Sequence, residues 1–247
     1  MSVPVALDFS GRGVLVAGGS SGIGNAIARA FFDAGAKVDV WGTRPTAADY
    51  DGEEGSDLRG LGYTSCDVTD PAEVAACVAA IGGLGVVVLC QGLAVYGRAE
   101  FERETFLRVL DVNLTSLMTC ATAVRPRLAA SQGALIVVSS SAAYHATRGN
   151  PAYNASKTGA VGLTRTLGQA WAPDGIRVNG IAPGYVATRM TAVTTDNPRR
   201  REAAIAKIPL GRFGTPAEMA GVAMFLASPL SGFVVGQTLL ADGGMLL

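Results

Sequence analysis

Apolar and polar positions along the chain fall into two alternating patterns, short unbroken apolar runs and longer stretches with apolar residues at helical spacing. The runs lie at 13–17 (G-V-L-V-A), 37–41, 63–66, 85–89 (G-V-V-V-L), 134–139, 176–181 and 237–240. The run at 13–17 is short and rich in β-branched residues, those at 85–89 and 134–139 are as expected of strands buried on both faces, and the other four read as strands by position and length. Between them, helical spacing appears at 25–32 (Ile27, Ala28, Phe31, Phe32), 71–81, 103–130, 152–171 and 216–227. Asp70 as N-cap with Pro71 behind it opens the second of these helices, and Thr215 with Glu218 three residues on forms a capping box for the last. The helix over 103–130 carries Phe106, Val109, Leu110, Val112, Leu114, Leu117 and Met118 as one long stripe. Strand–helix alternation of this kind predicts an α/β fold, a doubly wound parallel sheet of about seven strands flanked by helices in three αβα layers. Two stretches break the pattern. The polar, glycine-dotted segment 45–62 reads as a loop-rich crossover. Residues 189–207 read as the least regular stretch, placed to act as a substrate loop or lid, with Arg199, Arg200 and Arg201 as a solvated face.

Composition narrows the range of functions. The 247 residues fit one domain, 1–247, with enough apolar content (49%) to bury a core unaided. Lys+Arg and Asp+Glu both number 20, which provides no basic face for nucleic acid and points to a small-molecule partner. Cys66, Cys77, Cys90 and Cys120 lack C-x-x-C spacing, and His145 is the only histidine, so neither a metal site nor a disulfide framework is expected and a reducing cytoplasm suits the chain. No apolar segment is long enough to span a membrane, and the N-terminus lacks the pattern of a secretory leader.

The candidate chemistry sits where strands end. The first runs directly into Gly18-Gly19-Ser20-Ser21-Gly22-Ile23-Gly24 and then a helix. This turn lets backbone approach a pyrophosphate at a positive helix end, although glycines also end strands for steric reasons alone. At the tip of the second strand Gly42 and Thr43 offer no acid for a ribose 2′-OH, while Arg44 beside them leans toward the 2′-phosphate of NADP or is a solvated loop charge. Asp67, after the third strand, is placed either to accept from an adenine amino group or to serve as an N-cap or Asx turn. Asn113, a polar residue amid the apolar stripe of 103–130, is expected to bond something buried. The fifth strand delivers Ser140 to the edge where such sheets bind ligands. Tyr153 and Lys157, four residues apart, share one helix face, where the ammonium is expected to lower the phenol's pKa.

In order along the chain, Gly18/Gly22/Gly24, Asn113 in V-N, Ser140 thirteen residues before Tyr153, and Tyr153-x-x-x-Lys157 resemble the motifs of the short-chain dehydrogenase/reductase family. Pro183-Gly184 with Thr188, and G-Q-T-L-L-A-D-G-G near the end, extend the resemblance over nearly the whole length. It implies a Rossmann-type sheet and an NAD(P)-dependent oxidoreductase interconverting a secondary alcohol and a ketone. Tyr153 would be the acid/base, Ser140 would hold the substrate oxygen, Lys157 would tune Tyr153 and bond the nicotinamide ribose, and Asn113 would position a water linking Lys157 to solvent. Cofactor contacts would come from Gly18, Ser20, Ser21, Gly22, Ile23, Gly24, Arg44, Asp67, Val68, Gly92, Tyr153, Lys157, Pro183, Gly184, Val186 and Thr188. The cofactor is expected to be NADP in preference to NAD, and the assembly a homotetramer or homodimer, with the tail Met245-Leu246-Leu247 suited to burial against another subunit. The family's N-N-A-G reads Leu89-Cys90-Gln91-Gly92 here. Members that reduce 3-oxoacyl carrier-protein thioesters carry basic docking residues where this chain has Ala130-Ser131-Gln132 and Asp174, so a free alcohol or ketone competes with a 3-oxoacyl thioester as the substrate. A dinucleotide-sensing regulator without turnover is the reading from another class. His145 reads as a loop contact rather than a proton relay, and Leu93, Val95, Tyr96, Tyr185 and Met190 as an apolar pocket around the reacting carbon.

Overall fold

The computed structural model describes residues 7–247. Seven strands, β1 (Gly13–Ala17), β2 (Lys37–Gly42), β3 (Gly62–Ser65), β4 (Val86–Leu89), β5 (Ala134–Val138), β6 (Arg177–Pro183) and β7 (Thr238–Ala241), form one parallel sheet in the order β3-β2-β1-β4-β5-β6-β7. The order reverses between β1 and β4, which is where a doubly wound sheet opens a ligand crevice beyond its strand ends.

The sheet's two faces show why apolar runs became strands. Leu15, Ala17, Trp41, Val87, Leu89, Leu135 and Val137 point into one core, and Val14, Val16, Val38, Val40, Val86, Val88, Ile136 and Val138 into the other. This strict alternation is the period-two consequence of the pleat, with both faces buried. Helix α1 (Gly22–Asp33) covers the second face through Ile27 and Phe31. The first is covered by α2 (Pro71–Ala80) through Val74 and Cys77. As its sequence predicts, α2 is started by Asp70, whose carboxylate accepts from the Ala72 and Glu73 amides.

The stripe at 103–130 does not form one uniform helix. It divides into α3 (Arg103–Leu110), a single π-turn (Asp111–Thr115) and α4 (Ser116–Ser131). The wide turn falls on Asn113, which is fully buried and bonded outside the helix; insertions of this kind mark functional positions in many helices. Helix α5 (Pro151–Trp171) then packs on the same face through Ala160, Leu167 and Trp171. Residues 189–207 hold more regular structure than their composition predicts: a 3₁₀ turn (Arg189–Thr191), α6 (Ala192–Thr195) and α7 (Pro198–Ile205), the last started by the Asn197 side chain accepting from the Arg200 amide. Helix α8 (Pro216–Ala227) has the expected capping box between Thr215 and Glu218 and completes the second core with Met219, Ala223 and Leu226. The crossover at 45–62 is loop-rich, with one 3₁₀ turn (Ala47–Tyr50).

Candidate active site

The glycine turn is fixed by contact rather than by flexibility. A Cβ at Gly24 would lie 2.1 Å from the Gly18 carbonyl oxygen, and one at Gly18, whose φ is +73°, would lie 2.8 Å from the Gln91 amide nitrogen. Only bare backbone passes both points, so the end of β1 turns tightly into α1. Ser21 makes no capping bond and the first turn of α1 holds no acid, so no side chain neutralises the positive end of the helix. Thr188 stands over this turn, its methyl 3.5 Å from where a Gly22 Cβ would be. Ser20 is buried beneath, while Ile23 and Val68 pack partly against the cores. Pro183 ends β6, and Val186 is buried beyond it. Gly184 is pressed so close to Asp242 that a Cβ would meet its Cα at 2.7 Å, which is how the P-G and A-D-G-G motifs come to lie together.

At the tip of β2, Arg44 is no solvated loop charge. Its guanidinium lies 4.4 Å from the Tyr50 ring centroid and pairs with Glu53 at 2.5 Å. The Glu53 carboxylate also holds Arg189 at 2.6 Å, and both cations keep its pKa below the ordinary value. The same loop closes on the glycine turn: Gly22 N–H donates to the Gly55 carbonyl, and the Asn25 side chain exchanges two hydrogen bonds of 2.9 Å with the Asp57 backbone. The Asp67 carboxylate adopts the Asx-turn arrangement, accepting from the Thr69 amide and hydroxyl.

Ser140, Tyr153, Lys157 and Asn113 converge beyond β4 and β5. Extended backbone at Ser140 starts a 3₁₀ turn (Ser141–Ala143), and its hydroxyl accepts from the Ala142 amide at 3.1 Å. Tyr153 and Lys157 lie one turn apart on α5, with the Lys157 ammonium 5.7 Å from the Tyr153 ring centroid. Lys157 is buried and donates to the Val138 carbonyl at 2.9 Å; burial pulls its pKa down to about 8, and the neighbouring Cys90 acts in the opposite direction. Burial pushes the Tyr153 phenol up, and the nearby Ser140 hydroxyl pulls it down. The expected lowering of the phenol by Lys157 is therefore not what the protein alone produces: the surroundings that exclude water from both groups disfavour both charges.

Asn113 uses both amide hydrogens and one lone pair of its oxygen. Its Oδ1 accepts from the Leu93 N–H at 2.7 Å, and Nδ2 donates to the Leu93 carbonyl at 2.8 Å and to Ser156 Oγ at 3.1 Å. Gly92 packs against Lys157 and Asn113, leaving 3.5 Å from a notional Cβ to Nζ. Gln91 Nε2 donates to Ser116 Oγ on α4 at 3.1 Å, and burial pushes the Cys90 thiol to about 11. Around the mouth, the Tyr96 hydroxyl donates to the Met190 carbonyl at 2.9 Å, and burial together with Glu100 and Tyr185 raises its pKa. His145 is exposed on the loop before α5.

Several residues that shape the site carried no motif. Ser139 Oγ donates to the Lys157 carbonyl at 2.7 Å and anchors α5 to β5. Glu100 is fully buried and bonds Tyr153's own backbone amide at 2.9 Å. A lone carboxylate gives no sequence signal of burial; its fate depends on partners brought by distant segments.

A glycine-lined turn at a helix N-terminus, beside a half-buried serine and tyrosine and a buried lysine at the carboxyl edge of a doubly wound sheet, defines a dinucleotide-binding oxidoreductase. The family model for enoyl-(acyl carrier protein) reductases matches residues 17–246, and the chain belongs to this short-chain dehydrogenase/reductase family of NAD(P)-dependent oxidoreductases. The chain is 35% identical over 242 residues to the 3-oxoacyl-[acyl-carrier-protein] reductase of Chlamydia muridarum, covering 95% of this chain and 97% of the relative. It is equally 35% identical to the 2-dehydro-3-deoxy-D-gluconate 5-dehydrogenase of Bacillus subtilis, covering 98% and 97%. The crystal structure of a gluconate 5-dehydrogenase from Burkholderia cenocepacia, in complex with NADP and tartrate, superposes with a TM-score of 0.87 at 30% identity, covering 97% of this chain and 96% of that one. Among the described residues no helix is long and apolar enough to cross a membrane, and no group of metal-ligating side chains occurs.

Proposed function

We propose that the protein is an NADP-preferring reductase or dehydrogenase of a free, small secondary alcohol and its ketone, with Tyr153 as acid/base. The observation that carries this is the convergence of Tyr153, the Ser140 hydroxyl and the buried Lys157 ammonium beside a helix end that no side chain caps. The bound nicotinamide supplies or accepts the hydride. Tyr153 gives its proton to the carbonyl oxygen in reduction and takes it back in oxidation, while Ser140 holds that oxygen. One of three Lys157 donors is committed to Val138, so the ammonium can still bond a ribose hydroxyl and favour the phenolate as the alcohol is oxidised. Asn113 anchors the Leu93 backbone, and we assign it the further task of holding a water at the inner end of this relay. Gly18, Ser20, Ser21, Gly22, Ile23 and Gly24 would hold the pyrophosphate, Asp67 and Val68 the adenine, and Gly92, Pro183, Gly184, Val186 and Thr188 the nicotinamide half.

Arg44 supports NADP, because its guanidinium already binds an anion, Glu53, that a 2′-phosphate can replace. A free substrate is favoured over a carrier-borne thioester by the ion pair of Arg125 with Asp174 at 2.6 Å, which occupies a cation on the face where an acidic carrier would dock. We further propose a cytoplasmic homotetramer or homodimer built from one domain, with 189–207 as the substrate loop. Its support is two exposed apolar groups, Phe101, Leu107 and Met118 on one side and Leu230, Phe233 and Leu240 near the last strand. Of the tail, Met245 packs on Ile208 and Phe213 of its own chain, while Leu247 is fully exposed. A panel of sugar acids, small ketones and 3-oxoacyl thioesters, followed by nicotinamide absorbance with NADPH and NADH in parallel, tests the reading. Turnover confined to carrier-bound thioesters, or an NADH preference, contradicts it.

A further inference from the structure

Glu100 is a carboxylate with no exposed surface, and every hydrogen bond it accepts comes from an element of the site. Its Oε1 accepts from the Val95 amide at 3.0 Å and from Asn150 Nδ2 at 3.1 Å; its Oε2 accepts from the Tyr153 amide at 2.9 Å. Tyr153 is the third residue of α5, so its N–H is one of the donors that a helix leaves without an internal partner. That donor is ordinarily taken by the N-cap side chain. Here the N-cap, Asn150, makes no such bond and turns away to the Val95 carbonyl at 2.8 Å, and Glu100 caps the helix from another part of the chain.

The arrangement also fixes the facing wall. Leu93 gives both its N–H and its carbonyl to Asn113, while Val95 gives its N–H to Glu100 and its carbonyl to Asn150. Four backbone groups of one short loop are thus held by three side chains from three elements. Next along, Tyr96 reaches across to the Met190 carbonyl of the substrate loop. An isolated buried carboxylate is costly, and this one is tolerated because a helix end and three donors stabilise its charge.

We propose that Glu100 is the positioning residue of the acid/base tyrosine: by capping α5 at Tyr153 while holding the loop at Val95, it sets the separation between the phenol and the wall against which the substrate lies. This rests on Tyr153 being the acid/base. The phenol is faced by Ser140 from the turn after β5, Cys90 from the end of β4, Tyr96 from the following loop, Lys157 from its own helix, and Glu100, whose charge raises it. Removing that charge therefore lowers the phenol's ionisation midpoint.

The test uses full-length Glu100→Gln, with the Tyr153 midpoint read as the phenolate absorbance difference between each protein and its Tyr153→Phe counterpart, with and without NADP⁺. Turnover of the ketone found by the panel above is measured across pH alongside it. The expected result is a lower midpoint, an oxidation limb displaced to lower pH, kcat reduced by about tenfold or more, and NADPH affinity unchanged. Unchanged midpoint, kcat and KM with only a lower melting temperature would make Glu100 a structural cap and overturn the proposal. Should Glu100→Gln fail to fold, Glu100→Asp carries the test: the charge retreats by one methylene, and the midpoint again falls, or its constancy overturns the proposal. Unimpaired turnover in Tyr153→Phe defeats the reading of the site itself, a failure distinct from that of Glu100.

Discussion

The buried ammonium of Lys157 sets the pH behaviour of the site at the scale of single residues. Its pKa of about 8 in the folded chain stands against 10.5 when unfolded. Between these values the unfolded chain binds more protons, so this group makes stability rise with pH from about 8 upward; below that range its cost is complete, about 3 kcal/mol. Lys157→Met should accordingly be more stable than the parent in urea unfolding at pH 7, with an advantage that shrinks toward pH 10, while losing turnover. Equal stability at pH 7 would show that the ammonium is better solvated than its burial implies. That Tyr153, Lys157 and Ser140 lie together was legible in the sequence because their spacing follows from one helix and one strand end, while Asn113 stood out only as a polar residue in an apolar stripe. Glu100 and Ser139 were not, because their roles come from contacts across 53 and 18 positions of sequence.

At the scale of elements, the glycine turn and the loop after β2 act as one unit. Glu53 competes with any 2′-phosphate for Arg44, and Arg189 shares it, so Glu53→Gln should tighten NADPH binding several-fold, and Arg44→Ser should weaken it by about tenfold. Nicotinamide fluorescence measures both; looser binding in Glu53→Gln would mean that the carboxylate itself receives the ribose. Gly24→Ala should abolish cofactor binding or folding, since its Cβ has no room beside the Gly18 carbonyl. The central strands β1, β4 and β5 were readable from the sequence almost to the residue because burial on both faces leaves continuous apolar runs, whereas β3 and β7, at the edges, are partly exposed. The π-turn at Asn113 was not, because the stripe of 103–130 fits an uninterrupted helix and only the bond to Leu93 explains the extra residue. Likewise 189–207 looked irregular since its helices are short and polar, held by caps such as Asn197 rather than by an apolar face.

On the scale of the whole molecule, the proposed subunit interface includes exposed Phe233 and Leu240, the latter on the edge strand β7. Replacing both with glutamate should reduce the particle mass seen by light scattering, whereas an unchanged mass would place the interface elsewhere. The order of the sheet, with its reversal between β1 and β4, brings the glycine turn from one end of the chain and the serine, tyrosine and lysine from its middle to a single crevice. The account as a whole depends on that crevice transferring a hydride with Tyr153 handling the proton. Tyr153→Phe, titrated with NADPH by fluorescence and assayed for ketone reduction, tests it most directly. The prediction is parental NADPH affinity with turnover reduced by at least about 10²-fold; turnover within a few-fold of the parent would contradict it.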